Sequence, residues 1–366
     1  MSREERASVS AALAGRIREV ITAQGGWVPF DRFMSMALYE PGLGYYATDR
    51  PLFGTLPTAG SDFVTAPELS PLFGQALATQ LEQALDATGT DEIWEFGAGS
   101  GALAAQLLGS LGARVREYHV VELSAALRQR QQGRLEPWSG RVTWHARLPE
   151  RLAGVVVGNE VLDAMPVQLL AFDGTHWRER GVVCEGGGFA WADRATDLRP
   201  PVPDEVFLPG ALTEIHAQAV AFVRTLAERL ERGAAFFVDY GFPQHEYHHR
   251  QRHGGTLMCH RGHRADTDPL VDVGLKDITA HVDFSAVALA AQDAGLTVLG
   301  YTSQGRFLLN CGIAALLAAA DVRGRVQAQP LLLEHEMGEL FKVLGLAAGR
   351  GFGAVGFVAG DRSHTL

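Results

Sequence analysis

Apolar residues recur at helical spacing at Val9, Leu13, Ile17, Val20 and Ile21, and Gly25-Gly26 ahead of Pro29 ends that pattern. An amphipathic stretch from Phe30 to Tyr39 follows, then a Pro41-Gly42 turn and the aromatic pair Tyr45-Tyr46. Ser70 with Pro71 predicts a helix start, and Leu72, Phe73, Leu77, Leu81 and Leu85 mark one face of a helix reaching about Ala87. Beyond it, short apolar runs alternate with helical segments: Ile93 to Phe96, Tyr118 to Val121, Val142 to Trp144, Val155 to Val157, Ala234 to Val238, Leu296 to Tyr301 and Phe341 to Leu344. Strands of this kind, separated by helices, predict an α/β fold with a doubly wound, mostly parallel sheet.

Two stretches break the alternation. From Val167 to Trp191 the runs become short and are interrupted by Asp173-Gly174 and Gly186-Gly187-Gly188, so a β-hairpin insertion is expected over about 167–203, closed by the stiff Arg199-Pro200-Pro201-Val202-Pro203 connector. The segment 241–281 holds His245, His248, His249, His253, His260, His263 and His281, interleaved with Arg250, Arg252, Arg261 and Arg264. A loop this long inside a compact domain is usually functional, and a polar lid is expected. Residues 1–90 read as an N-terminal helical cap and 91–366 as the core. Further helices are expected over Leu212 to Arg232, Asp283 to Gly295, Arg306 to Val322 and Glu334 to Leu340, with a last strand at Gly356 to Val358.

A hydrophobic fraction of 47% with mean hydropathy near zero is that of an ordinary enzyme. The longest apolar run, Phe307 to Ala320, contains Asn310 and is too short to cross a bilayer, so no membrane insertion is expected. A net charge of −10 leaves no basic footprint for nucleic acid and favours cationic partners. Cys184, Cys259 and Cys311 are too few and too scattered for a disulfide framework. A zinc site at Cys259, His260 and His263 lacks a paired Cys-x-x-Cys, and no metal is expected. The first residues, Met1 to Arg6, carry acids and no apolar signal core, which gives a cytoplasmic expectation.

The chemistry concentrates at strand ends. Asp91 to Gly101 reads as strand, glycine turn and helix, a backbone cradle for a nucleotide-like cofactor. Gly97-x-Gly99-x-x-Ala102 fits the dinucleotide fingerprint, while Glu95-x-Gly97-x-Gly99-x-Gly101 fits S-adenosylmethionine (SAM) methyltransferases. Glu122 ends the next strand, where a carboxylate meets ribose hydroxyls in either case. Glu95 favours SAM, because it faces the cofactor's cationic amino-acid end and would repel a pyrophosphate. The fourth strand also ends in Asn159-Glu160 rather than in a hydride-transfer pair. The cofactor candidates are Glu95, Gly97, Ala98, Gly99, Gly101, Glu122, Leu123 and Asn159. Asp62, Thr65 and Glu68, ahead of the first core helix, read either as loop caps or as a cover over the cofactor.

Glu160, Asp163 and Asp239 lie at the ends of neighbouring predicted strands. Paired carboxylates hold a guanidinium in bidentate fashion and leave one nitrogen aimed at a methyl donor. These three are the candidate catalytic acids, His281 is a candidate proton acceptor, and Tyr240 and His260 are candidate substrate contacts.

Gly60 to Gly74, Glu95 to Gly101, Asn159 to Pro166, Asp239-Tyr240-Gly241, Gly255 to His260 and Asp277 to Phe284 together resemble the MidA-like family of SAM-dependent methyltransferases. The resemblance runs from about Phe30 to about Leu309. It implies a class I methyltransferase fold, SAM as cofactor and a protein substrate. For mitochondrial members it implies a role in respiratory complex I assembly through symmetric dimethylation of an arginine in a core subunit. Two other readings stay open: a SAM-binding pseudo-enzyme or assembly chaperone, and an NAD-dependent oxidoreductase.

Overall fold

The structure, a computed structural model, describes residues 3–48 and 64–366. Its centre is a seven-stranded sheet. The strands are β1 (Glu92–Phe96), β2 (Glu117–Val121), β3 (Val142–His145), β4 (Leu152–Asn159), β5 (Leu230–Phe242), β6 (Leu296–Ser303) and β7 (Phe341–Ala348). Their spatial order is β6-β7-β5-β4-β1-β2-β3, with Val282–Asp283 added beside the end of β5. β1 to β5 pair in parallel, and β7 alone runs antiparallel between β5 and β6. The order reverses between β1 and β4, so the crevice outside their carboxyl ends is where such a sheet binds ligands.

Helices cover both faces. Pro71–Thr88, Ala102–Leu111 and Gln304–Asn310 pack on one side, and Ala217–Arg229 and Phe284–Asp293 on the other. Val155, Val156 and Val157 of β4 are fully buried between these layers. Each such side chain contributes about 1.5–3 kcal/mol by leaving water. Ser70 caps the first of these helices by accepting the Leu72 N–H at 3.3 Å, and Asp283 caps Phe284–Asp293 by accepting the Ala286 N–H at 3.0 Å. Both caps are where the sequence predicts them.

A third core joins the N-terminal helices Arg3–Ala23 and Phe30–Tyr39 to the insertion. The expected hairpin is there (Trp177–Glu185 with Gly188–Ala195), within a five-stranded sheet that also takes in Val28–Pro29, Gln168–Phe172 and Leu212–Ile215. Leu212 therefore opens a strand, and the helix expected over Leu212 to Arg232 is confined to Ala217–Arg229. The helix expected over Arg306 to Val322 is divided at Gly312, whose φ of 86° is left-handed and admits glycine at little cost. Val355–Phe357 is a single 3-10 turn where a strand was expected. The histidine-rich stretch carries regular structure of its own, a small sheet of Met258–Arg261, Arg264–Asp266 and Asp277–Thr279. Among the described residues no helix is long and apolar enough to cross a membrane.

Candidate functional site

A cavity of about 1260 Å³ opens at the carboxyl ends of β1, β2, β4 and β5, between the core, the N-terminal segment and the small lid sheet. Of the sequence-predicted residues, Glu95, Gly97, Ala98, Gly99, Glu122, Leu123, Asn159, Glu160, Asp163, Tyr240, His260 and His281 line it, while Gly101 and Asp239 do not. Asp62 lies outside the described residues.

One half is a backbone cradle. Gly97, Gly99 and Gly101 have φ of 61°, 54° and 81°, and a Cβ on Gly97 would meet the Val161 side chain at 3.0 Å. The turn therefore needs glycine both for its conformation and for its closeness to the β4 loop. Gly101 opens the helix Ala102–Leu111 from behind the wall. Glu122 is braced at the end of β2: its carboxylate accepts the Ser124 N–H at 2.8 Å and the Gln131 amide at 3.0 Å, and that same amide donates to the Gly99 carbonyl at 3.0 Å. Gln131 so ties the ribose-position acid to the glycine turn. Glu95 accepts the Tyr118 hydroxyl at 2.7 Å, yet burial pushes its carboxyl up to about 8. A cation arriving beside it favours ionisation. Asn159 donates to Glu160 at 3.0 Å, but its buried Oδ1 has no partner among the described residues. Backbone turn, braced acid and orphaned acceptor fit the polar ends of SAM.

The other half is acidic. Glu160 sits just beyond β4 with φ of 54°, left-handed for a residue with a side chain, held by its N–H on the Val238 carbonyl at 2.9 Å. Burial first, then the nearby Asp163, raises its carboxyl to about 8, against the Asn159 amide and the Ala66 backbone amide, which hold it down. Asp163 accepts the Tyr240 hydroxyl at 2.5 Å on Oδ2, while its buried Oδ1 has no partner among the described residues. Burial raises it to about 6.

Asp239 corrects an expectation. Its Oδ2 accepts the N–H groups of Val161, Leu162 and Asp163 at 3.1, 2.8 and 3.3 Å, and Oδ1 accepts that of Tyr240 at 3.0 Å. A carboxylate spent on four backbone amides, away from the cavity lining, holds the loop bearing Glu160 and Asp163. His281 faces the cavity with Nδ1 lacking a partner among the described residues. Burial, with Arg252, Lys342 and His260, pushes it down to about 4, so it is neutral and a weak base at physiological pH.

Three residues of this half escape the motif reading. Asp277 lines the cavity and takes the Tyr46 hydroxyl on both oxygens at 2.9 and 3.0 Å. Tyr46 stacks on Tyr39, ring centroids 5.6 Å apart, and Tyr39 donates to the Ala164 carbonyl at 2.9 Å. Their signals were present: Asp277 opens the Asp277 to Phe284 motif, and the tyrosines form the aromatic cluster after Phe30–Tyr39.

This strand order, with a glycine turn after β1, an acid after β2 and a single antiparallel strand, defines a class I SAM-dependent methyltransferase. Residues 76–302 match the family described as "Putative S-adenosyl-L-methionine-dependent methyltransferase". The chain belongs to that family, as a MidA-like methyltransferase with SAM as its cofactor. A crystal structure of a Burkholderia thailandensis protein bound to S-adenosyl-homocysteine superposes with a TM-score of 0.94 at 50% identity, covering 100% of this chain and 99% of that one. The protein arginine methyltransferase NDUFAF7, mitochondrial, of Danio rerio is 28% identical over 92% of this chain and 86% of its own. Its Drosophila melanogaster homolog is 29% identical over 81% and 74%. The oxidoreductase and pseudo-enzyme readings fall with this membership. The cytoplasmic expectation is overturned as well, because these relatives are named as mitochondrial.

Proposed function

We propose that this methyltransferase acts on an arginine guanidinium of a protein, with Glu160 and Asp163 as the groups that receive it. The observation that carries the reading is the pair of carboxylates lining the cavity on the loop packed against the glycine turn, one of them with a buried oxygen unpartnered among the described residues. SAM supplies a methyl group already activated on its sulfonium. A guanidinium needs orientation and loss of a proton, since its pKa lies above about 12. Asp163 Oδ1 accepts one N–H and Glu160 another, leaving the third nitrogen directed toward the cofactor half. A cation between the two acids ionises them, and Glu160, whose carboxyl otherwise sits near 8, would take up the guanidinium proton as the N–C bond forms, the methyl–sulfur bond breaks and S-adenosylhomocysteine leaves. His281, held near 4, stays neutral and is not the base. Tyr240 fixes Asp163, His260 and Asp277 line the acceptor end, and the cradle residues hold the cofactor.

The names of the relatives support arginine as the acceptor, and the family resemblance supports a respiratory complex I subunit as the acceptor protein. Incubation with methyl-labelled SAM and host lysate, followed by mapping of the labelled residue, tests this. Label on an arginine is expected; label on lysine, glutamine or a small molecule overturns the proposal.

A further inference from the structure

Away from the cavity lining, one buried carboxylate joins the insertion to the lid. Glu214 lies on the strand Leu212–Ile215 of the five-stranded sheet and is 3% exposed. Its Oε1 accepts the N–H groups of Thr256 and Leu257 at 2.7 and 3.1 Å, and its Oε2 accepts the Tyr247 hydroxyl at 2.7 Å. The Tyr247 oxygen is 3.0 Å from His216 Nε2 and 3.1 Å from the Thr256 hydroxyl, and Thr256 Oγ1 in turn accepts the His281 N–H at 3.0 Å. These partners fix the order of protons. A carboxylate only accepts, so the one Tyr247 proton goes to Glu214; Thr256 then donates to Tyr247 and keeps a lone pair for His281. Gly255 has φ of 74°, and a Cβ there would meet Glu214 Oε1 at 2.5 Å, so the turn closes directly on the carboxylate.

We infer that Glu214 is a positioning residue for the acceptor end: it holds the entry to the lid strand Met258–Arg261 and, through Thr256, the backbone of His281, so that Met258, His260 and His281 face the cavity in one arrangement. The inference rests on the assignment of that end of the cavity to the acceptor. No other hydrogen bond holds the Thr256 and Leu257 amides among the described residues. The backbone contacts of Leu212 reach only His253, at 2.7 Å, and Gly254, while pairing of the lid strand with Asp277–Thr279 begins at Met258. Between them the Gly255 N–H turns back to the Arg252 carbonyl, and the next two amides have the Glu214 carboxylate as their acceptor. Buried amides deprived of their acceptor open the segment that carries them, and Met258 follows Leu257 directly. Ala280, one residue before His281, is fixed separately by its N–H on the Asp163 carbonyl at 3.0 Å, so loss of Glu214 displaces His281 less than Met258 and His260.

The test compares the full chain with Glu214→Ala and Glu214→Gln by amide hydrogen exchange, by calorimetry with S-adenosylhomocysteine, and by initial rates of methyl transfer from saturating labelled SAM into increasing amounts of host protein extract. In Glu214→Ala, exchange over 255–261 is expected to quicken about tenfold or more, and at His281 about threefold, with β4 unchanged. Affinity for S-adenosylhomocysteine stays within about twofold, and the amount of extract giving half-maximal labelling rises about tenfold at a maximal rate within about threefold of wild type. Glu214→Gln, whose amide oxygen still accepts from Thr256 and Leu257, is expected to bring that amount back to within about threefold. Wild-type exchange at Thr256 and Leu257 in Glu214→Ala overturns the positioning. So does faster exchange throughout with equal losses of cofactor affinity and rate, which marks a role in folding alone. If Glu214→Ala does not fold, Thr256→Val, which removes the acceptor of the His281 N–H, carries the test: faster exchange at His281 with the half-maximal amount raised about threefold supports the positioning, and no change in either overturns it. Glu160→Gln run in parallel separates the two proposals. If it transfers methyl groups at the wild-type rate, the reading of the acceptor end falls; if it is inactive while exchange in Glu214→Ala is unchanged, only the positioning falls.

Discussion

The cradle and the acceptor end share a cavity but are assembled differently. In the cradle, Glu122, Gln131 and the Gly99 carbonyl satisfy one another and Glu95 leans on Tyr118, which leaves Asn159 Oδ1 as its buried acceptor without a partner among the described residues. At the acceptor end, Asp163 Oδ1 and His281 Nδ1 are buried without partners among the described residues; carboxyls are raised in both halves, Glu95 to about 8 in the cradle and Glu160 to about 8 here. Unsatisfied buried groups of this kind destabilise the empty protein. The cradle's acids are thus braced before any ligand binds, whereas the acceptor end keeps two unpartnered buried atoms among the described residues. The contrast also separates neighbouring acids: Glu160 and Asp163 face the cavity, and Asp239 holds the loop that carries them.

Glu160→Gln should break the contrast most sharply. Methyl transfer is expected to fall by about a hundredfold or more, while calorimetric affinity for S-adenosylhomocysteine stays within about threefold. Comparable losses of both would merge the two halves into one site. Asp239→Ala leaves four backbone N–H groups without their acceptor, and is expected to cost about 2–4 kcal/mol in chemical denaturation together with most activity. A stable but inactive Asp239→Ala would return Asp239 to the catalytic set. Gly97→Ala strains a left-handed residue against Val161, and about tenfold weaker SAM binding is expected from roughly 1–2 kcal/mol of backbone cost.

The pH dependence of stability gives a smaller signal. Glu95 and Glu160 have folded-state carboxyls near 8 against an ordinary 4.5, so the folded protein holds more protons than the unfolded chain across that window. Stability contributed by these groups is present at low pH and lost as pH rises toward 8. His216, His248 and His281, held near 3, 4 and 4 by burial, act in the opposite sense below 6.5. The melting temperature of the cofactor-free protein is therefore expected to fall by a few degrees between about pH 6.5 and 8.5, and by less in Glu160→Gln. A flat profile in both proteins would remove the stored protonation at the acceptor end. Smallest of all, Tyr46→Phe frees Asp277 from one hydroxyl, and an increase of about threefold in acceptor KM with unchanged SAM affinity is expected in steady-state assays.

The difference between the halves also governs what the sequence discloses. The cradle is contiguous: β1, the glycine turn and its helix lie within Glu92 to Leu111, and Glu122 follows one unit later. Local spacing is enough to read it. The acceptor end draws Tyr39 and Tyr46, Glu160 and Asp163, Tyr240, and Asp277 with His281 from four distant segments, and no spacing rule joins them. Asp239 shows a second limit. An acid at a strand end looks the same in sequence whether it faces a ligand or the backbone of the next loop. The misplaced helix over Leu212 to Arg232 has a similar cause: Leu212, Ile215 and Ala219 sit at helical spacing, but pairing of Leu212–Ile215 with Gln168–Phe172 overrides that local pattern.

The left-handed backbone at Glu160 weighs on the stability of the fold. A φ of 54° at a residue with a long side chain is a conformation that glycine or asparagine adopts with less strain. Glycine in its place is expected to relieve that strain and raise the denaturation midpoint, so stability and the presence of this carboxylate oppose each other at one position.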